Sequence, residues 1–297
     1  AAPAPSPASA PSPSARPDAW PAGQQTNSEE PSPPHPARVR WALDASLTVG
    51  AGASFLVINN WVSPQLPVDA GPQTELIAGP DSVAIGHYRP KVARASDVLL
   101  ISGAVAPLIY HGIESGLRRD RFWARYGADL MIYSEALAIN LLATEILKVA
   151  VGRPRPFTHV DPNTVDPEVR DELIAAQAET DSRKSFPSGH SSLAFAAAVA
   201  GSTLLTFKLA KRNPAAVVVT WILSIGAATT TGALRVVAGK HYPSDVVAGA
   251  LLGTTVGLVV PLAHFRGRLE PRDRPSYRVQ LSPTLGPTRG LAITGRF

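Results

Sequence analysis

Three short polar stretches carry the chemistry in this 297-residue chain. The first is His241-Tyr242-Pro243-Ser244-Asp245, with Arg235 just before it, which sets a nucleophile candidate beside a carboxylate. Pro243 suits the first position of a helix, which makes Tyr242 the N-cap and Asp245 the third helical residue, where a carboxylate reaches back over the helix start. Asp245 is therefore expected to accept a hydrogen bond from one ring nitrogen of His241, leaving the other unprotonated and nucleophilic. Alone, the stretch reads equally well as a capping Asp beside an interfacial His.

The second stretch is Pro187-Ser188-Gly189-His190. Ser188 reads as the N-cap of an apolar helix whose free backbone N–H groups and positive dipole end would accept an anion, with Gly189 allowing close approach. His190 projects from the first turn, where a leaving oxygen would need a proton. The third stretch runs from Lys148 to Pro156, with Arg155 between Pro154 and Pro156. Lys supplies a point charge and Arg a planar fork, both suited to phosphate oxygens. Glu145, one turn before Lys148, is expected to pair with it, and Arg153 is expected to be a surface charge. If the three stretches meet, they bring two histidines, a carboxylate, three cations and a helix start to one place.

In this order and spacing they resemble the superfamily of type 2 phosphatidic acid phosphatases (PAP2), bacterial acid phosphatases and vanadium haloperoxidases, whose pattern is K-x6-R-P, P-S-G-H and S-R-x5-H-x3-D. Lys148, Arg155 and Pro156 match the first motif, Pro187 to His190 the second, and Arg235, His241 and Asp245 the third. Leu234 stands where the third motif has Ser. The resemblance implies that His241 attacks phosphorus, Asp245 orients it and His190 protonates the leaving group. Lys148, Arg155, Ser188, Gly189 and Arg235 would bind the phosphoryl oxygens. It also implies chemistry without metal or other cofactor, and no Asp/Glu/His group has metal-site spacing in the sequence.

The elements that must position these residues are apolar. Hydrophobic residues make up 45% of the chain and are gathered in six runs: Trp41–Trp61, Val98–Ile113, Leu130–Val151, Ser191–Phe207, Ala215–Val237 and Val246–Phe265. Most approach the roughly 20 residues needed to span a bilayer, the second and fourth being short. Glu135, Asn140, Glu145 and Lys148 must then face the interior of the bundle. Small residues such as Ala194, Ala197 and Gly201 would let helices approach closely. The fold expected is all-α, a six-helix transmembrane bundle of the PAP2/haloperoxidase type over 41–266. A disordered tail rich in Pro, Ala and Ser (1–40) would precede it, and a tail that alternates like a small hairpin (267–297) would follow. Asp166-Pro167-Glu168 predicts a short helix running to Glu179 within the loop between Pro156 and Pro187.

Basic residues cluster at Arg38 and Arg40, at Arg118, Arg119, Arg121 and Arg125, at Lys208, Lys211 and Arg212, and at Arg266 and Arg268. In a six-span topology all four clusters share one side, expected to be cytoplasmic, with the three motifs on the other. The net charge of +5 therefore reflects topology, and no nucleic-acid partner is expected. The Ala-rich start also suits residues following a signal-peptidase cut, which conflicts with the side assigned by charge; the four clusters carry more weight. Absence of Cys excludes thiolate chemistry and disulfides.

These features predict a multi-pass protein of a bacterial-type inner membrane, its site facing the periplasm or exterior, hydrolysing a lipid phosphate or pyrophosphate. Rival readings are a soluble-type acid phosphatase acting on small esters, a vanadate-dependent haloperoxidase, and a transporter or lipid-binding scaffold. The lipid and the oligomeric state are not encoded in the motifs.

Overall fold

The computed structural model describes residues 37–65, 79–117, 122–265, 278–284 and 290–296. The predicted disordered tail falls almost wholly outside them, as do Arg118, Arg119, Arg121, Arg266 and Arg268. Seven α-helices are described: α1 (Trp41–Val57), α2 (Pro90–Leu117), α3 (Phe122–Val151), α4 (Pro167–Ala178), α5 (Gly189–Leu209), α6 (Pro214–Val237) and α7 (Pro243–Phe265). All but α4 belong to segments long and apolar enough to cross a membrane. They form a six-helix transmembrane bundle. Strand β1 (Arg278–Thr284) pairs antiparallel with β2 (Gly290–Arg296), Leu281 opposite Ile293.

Local chemistry sets the helix starts. Ser188 and Asn213 cap α5 and α6 by accepting from the N–H groups of Ser191 and Ala216, and Pro214 and Pro243 open α6 and α7. Asp166 caps α4 by accepting from Glu168 N–H, as the sequence predicts. The second helix begins eight residues earlier than its apolar run, at Pro90 rather than Val98, because its first turns carry the polar residues Lys91, Arg94, Ser96 and Asp97, which an apolar run leaves out.

α5 is the central helix, buried along most of its length. Its neighbour α7 approaches through Gly249, Gly253 and Gly257, spaced by four. A Cβ on Gly249 would stand 2.5 Å from Ser188 O, one on Gly257 2.7 Å from Ala196 O, and one on Gly253 would collide with Ser192 O. Only hydrogen at these positions permits the contact. Ile132 and Tyr133 of α3, Ala197 and Leu204 of α5, and Val260 and Phe265 of α7 form the main core. Val98, Ile101, Ile222, Leu223 and Leu251 instead face outward, an apolar exterior that suits lipid. Glu135, Asn140 and Glu145 are buried inside the bundle, as a spanning α3 requires.

Candidate active site

The ends of α3 and α6 and the starts of α2, α5 and α7 meet at one end of the bundle, and there the three motifs come together. The turn between α6 and α7 carries His241. It passes so close to His87 that a Cβ on Gly239 would overlap the His87 carbonyl, and Gly239 has φ +72°, so this turn requires glycine.

His241 is fully enclosed. Its Nδ1 lies 2.8 Å from the Ser185 carbonyl oxygen, which can only accept, so Nδ1 carries the proton and Nε2 presents a lone pair. Arg155 Nη1 lies 3.4 Å from Nε2. Burial, and then the charges of Arg155, Arg235 and Lys148, hold the His241 pKa well below its ordinary value, so the ring is neutral.

The partner of Nδ1 corrects the sequence expectation for Asp245. Its Oδ2 is 3.7 Å from His241 Nδ1, beyond hydrogen-bond reach. Asp245 Oδ2 accepts instead from Ser185 Oγ at 2.5 Å and from Tyr242 N–H at 2.9 Å, the latter being the reach back over the helix start that its position implied. Asp245 thus positions His241 through Ser185, one step removed.

Two further pairings differ from expectation. Arg153 is not a surface charge: its guanidinium donates to Asp245 Oδ1 at 2.6 Å and to Asp81 Oδ2 at 2.8 Å, and stacks over the Tyr242 ring at 4.0 Å. Ser244 also bonds Asp81 through its N–H and its hydroxyl. Burial raises the Asp81 pKa, but the hydrogen bonds from Arg153 and Ser244 outweigh it and the net shift is downward. Glu145 does not pair with Lys148. It accepts from Lys184 at 2.8 Å and Ser63 at 2.9 Å, because Lys184 on the returning loop reaches the buried carboxylate. Lys148 extends past it to Gly189, its Nζ 3.2 Å from where a Cβ on that residue would stand.

The remaining predicted residues join the same cluster. Arg155 is buried and bonds the Asp181 carboxylate at 2.7 Å, the Asp181 carbonyl at 2.9 Å and the Lys240 carbonyl at 3.3 Å. Ser188 is fully buried, its oxygen accepting from the N–H and hydroxyl of Ser191. His190 Nε2 lies 2.7 Å from Asp97 Oδ1, and Arg235 Nη1 donates to the same oxygen at 3.0 Å and to Ser96 at 3.1 Å. The buried Nε of Arg235 has no hydrogen-bond partner among the described residues.

Sequence reading missed Asp97, Asp181, Ser185 and Lys240. Asp97 and Asp181 lie outside the motifs and are brought in by α2 and the loop after α4. Ser185 and Lys240 adjoin motifs but act through a carbonyl or an adjacent charge, which no spacing rule registers. Burial would raise the Asp181 pKa, but the charges of Arg155, Lys148 and Lys184 outweigh it and hold the carboxyl below its ordinary range. Lys240 Nζ sits over the Phe157 and Tyr88 rings at 4.6 and 5.0 Å. Burial, then Arg155 and Arg235, lower its pKa to about 8.

The cluster is cationic and encloses a neutral imidazole. Residues 129–268 match the PAP2 superfamily. The chain is 26% identical to an undecaprenyl-diphosphatase of Sulfolobus acidocaldarius over 62% of its own length and 81% of that protein's. It is 33% identical to a putative phosphatidate phosphatase of Drosophila melanogaster over 43% of its own length, and spans only 39% of that relative. A crystal structure of a transmembrane PAP2 type phosphatidylglycerolphosphate phosphatase from Bacillus subtilis matches 77% of this chain and 98% of its own at 18% identity and a TM-score of 0.44.

Proposed function

We propose that this protein hydrolyses a lipid phosphate or pyrophosphate through a phosphohistidine on His241, without a metal at phosphorus. The observation that carries the reading is the commitment of His241 Nδ1–H to the Ser185 carbonyl, which leaves the Nε2 lone pair facing the Arg155 fork inside a cluster of cations. Nε2 attacks phosphorus, and the bond from phosphorus to the leaving oxygen breaks. That oxygen takes a proton from His190 when it leaves as an alcohol. Lys148, Arg155 and Arg235, with the start of α5, neutralise the charge gathered on the other phosphoryl oxygens. Water, giving a proton to the now neutral His190, then attacks phosphorus, and the bond from phosphorus to Nε2 breaks, releasing phosphate and restoring both rings. The apolar exterior of the bundle and the names of the relatives, a diphosphatase of undecaprenyl and a putative phosphatidate phosphatase, support a lipid substrate.

His190→Ala separates the roles. It should slow hydrolysis of alkyl phosphates severely and spare an activated ester such as p-nitrophenyl phosphate, whose leaving group needs little protonation. Equal losses on both esters, in a folded variant, would remove His190 as the acid. A panel of phosphatidate, isoprenyl pyrophosphates and small esters assigns the substrate class; hydrolysis of small esters alone would favour the acid-phosphatase rival.

For orientation, the proposal is a bacterial-type inner membrane with the site facing the periplasm or exterior. Arg38, Arg40, Arg125, Lys211 and Arg212 lie at the helix ends opposite His241, which supports this topology. A cysteine at Glu172 in this cysteine-free chain should label in intact cells. Labelling only after permeabilisation would reverse the orientation.

A further inference from the structure

At the end of the bundle away from His241, three side chains from distant parts of the sequence converge. Asp44 lies in the first turn of α1, Glu135 midway along α3 and His264 in the last turn of α7. One ligand-capable atom from each lies within 4.8 Å of the others. His264 Nε2 is 3.3 Å from Asp44 Oδ2 and 3.4 Å from Glu135 Oε2, and the side chains of His264, Asp44 and Glu135 are only 8%, 5% and 7% exposed. His264 Nδ1 lies 3.0 Å from the Val260 carbonyl oxygen, so Nδ1 donates and Nε2 of the neutral ring presents a lone pair toward both carboxylates. Glu135 Oε2, aimed into the same space, has no hydrogen-bond partner among the described residues. Three electron-pair donors facing one another out of water repel unless a cation stands among them.

We propose that Asp44, Glu135 and His264 bind a divalent transition-metal ion of the zinc class. In a tetrahedral site with bonds of about 2.0–2.1 Å, neighbouring ligand atoms stand about 3.3–3.4 Å apart, the spacing seen along two edges of this triangle. The Val260 carbonyl supplies the support a ligating histidine requires, holding the ring in the tautomer that leaves Nε2 free for the metal. The Arg40 N–H, 2.7 Å from Asp44 Oδ2, steadies one carboxylate in the same way. Such an ion ties α1, α3 and α7 together where the Arg38 N–H already bonds the His264 carbonyl at 3.1 Å. From Asp245 to His264 along α7 is about 28 Å, so the ion takes no part in chemistry at His241. The set escapes a sequence search because its members come from three separate helices.

The test uses the full chain in detergent, purified without a polyhistidine tag, loaded with Zn2+ and freed of excess by gel filtration. Elemental analysis should find one zinc per chain, Co2+ in its place should give the visible bands of a low-coordinate site, and Zn2+ should raise the melting temperature. Glu135→Gln, which keeps shape and removes the charge, should lose the stoichiometric zinc, the cobalt bands and the thermal shift while retaining helical content and phosphate release. His264→Ala should do the same. Wild-type protein that binds no zinc would overturn the proposal and leave a proton on His264 as the cation. Undiminished zinc content in a folded Glu135→Gln variant would overturn it as well, placing the metal elsewhere.

Discussion

At the end of the bundle that holds His241, the converging side chains are cations, and carboxylates stand behind several of them: Asp181 on Arg155, Asp97 on Arg235, Asp245 and Asp81 on Arg153, Glu145 on Lys184. At the other end the order is reversed. Lys208 stands between Glu114 and Asp129 at 2.5 and 2.6 Å, and His264 between Asp44 and Glu135. Both ends bury charge, yet among the described residues the Arg235 Nε lacks an acceptor at one end and the Glu135 Oε2 lacks a hydrogen-bond donor at the other. Those two groups support the two proposals, an anion at the first end and a cation at the second.

Removing the neutral imidazole breaks the comparison most completely. His241→Ala should abolish phosphate release from every substrate whatever its leaving group, and acid quenching should trap no phosphoenzyme. An acid-labile phosphoenzyme in that variant would move the nucleophile elsewhere. The next largest effect belongs to the cations. Lys148→Ala and Arg155→Ala should each lower kcat/KM about 100-fold or more, the size of one lost transition-state contact. At the other end, Lys208→Met strands two buried carboxylates and should cost about 3 kcal/mol in stability while kcat stays at the wild-type value below the melting transition. A comparable fall in kcat in a folded Lys208→Met protein would show that the ends are coupled.

What could be read from the sequence follows the same division. The spans were legible because lipid demands long apolar runs, and the starts of α4, α5 and α7 because Asp166, Ser188 and Pro243 are local signals. The residues that converge around His241 were legible as three motifs. Their pairing was less so. Glu145 and Lys148 are one turn apart, but helical spacing cannot register that Lys184 arrives from the following loop with a shorter path to the same carboxylate. Asp245 and His241 are four apart, but a backbone carbonyl at Ser185 reaches Nδ1 first. Arg153 looked like a surface charge because its two carboxylate partners come from the start of α7 and from Asp81, which the sequence places far away. The cluster at Asp44, Glu135 and His264 had no sequence signal at all, since three helices contribute one residue each.

A smaller effect sharpens the role of the carboxylates behind the cations. Asp181 holds Arg155 with its side chain 51% exposed, so it is positioned to compete with an incoming anion at modest cost. A half-exposed pair is worth about 1 kcal/mol at most, so Asp181→Asn should tighten orthovanadate inhibition by up to about fivefold. Weaker inhibition would mean that Asp181 instead holds the Arg155 fork in its binding geometry.

The smallest effect concerns Lys240, beside His241 and over two aromatic rings. Its pKa is lowered to about 8, first by burial and then by Arg155 and Arg235, so it is charged below pH 8 and loses that charge as pH rises through this value. A phosphate approaching the free enzyme therefore meets one cation fewer above pH 8. kcat/KM should decline there on an alkaline limb, while kcat, which reports the complex, should hold to higher pH because the bound anion stabilises the ammonium. Lys240→Arg keeps the charge across this range and should remove the limb. Lys240→Met should flatten it at the lower, high-pH level of the wild type. On the acid side, His241 is already neutral at pH 6.5, its proton returning only well below that value, so its protonation should not limit the rate near neutrality. An alkaline limb that stays near pH 8 in Lys240→Arg would assign it to another group and reduce Lys240 to a packing residue of the turn.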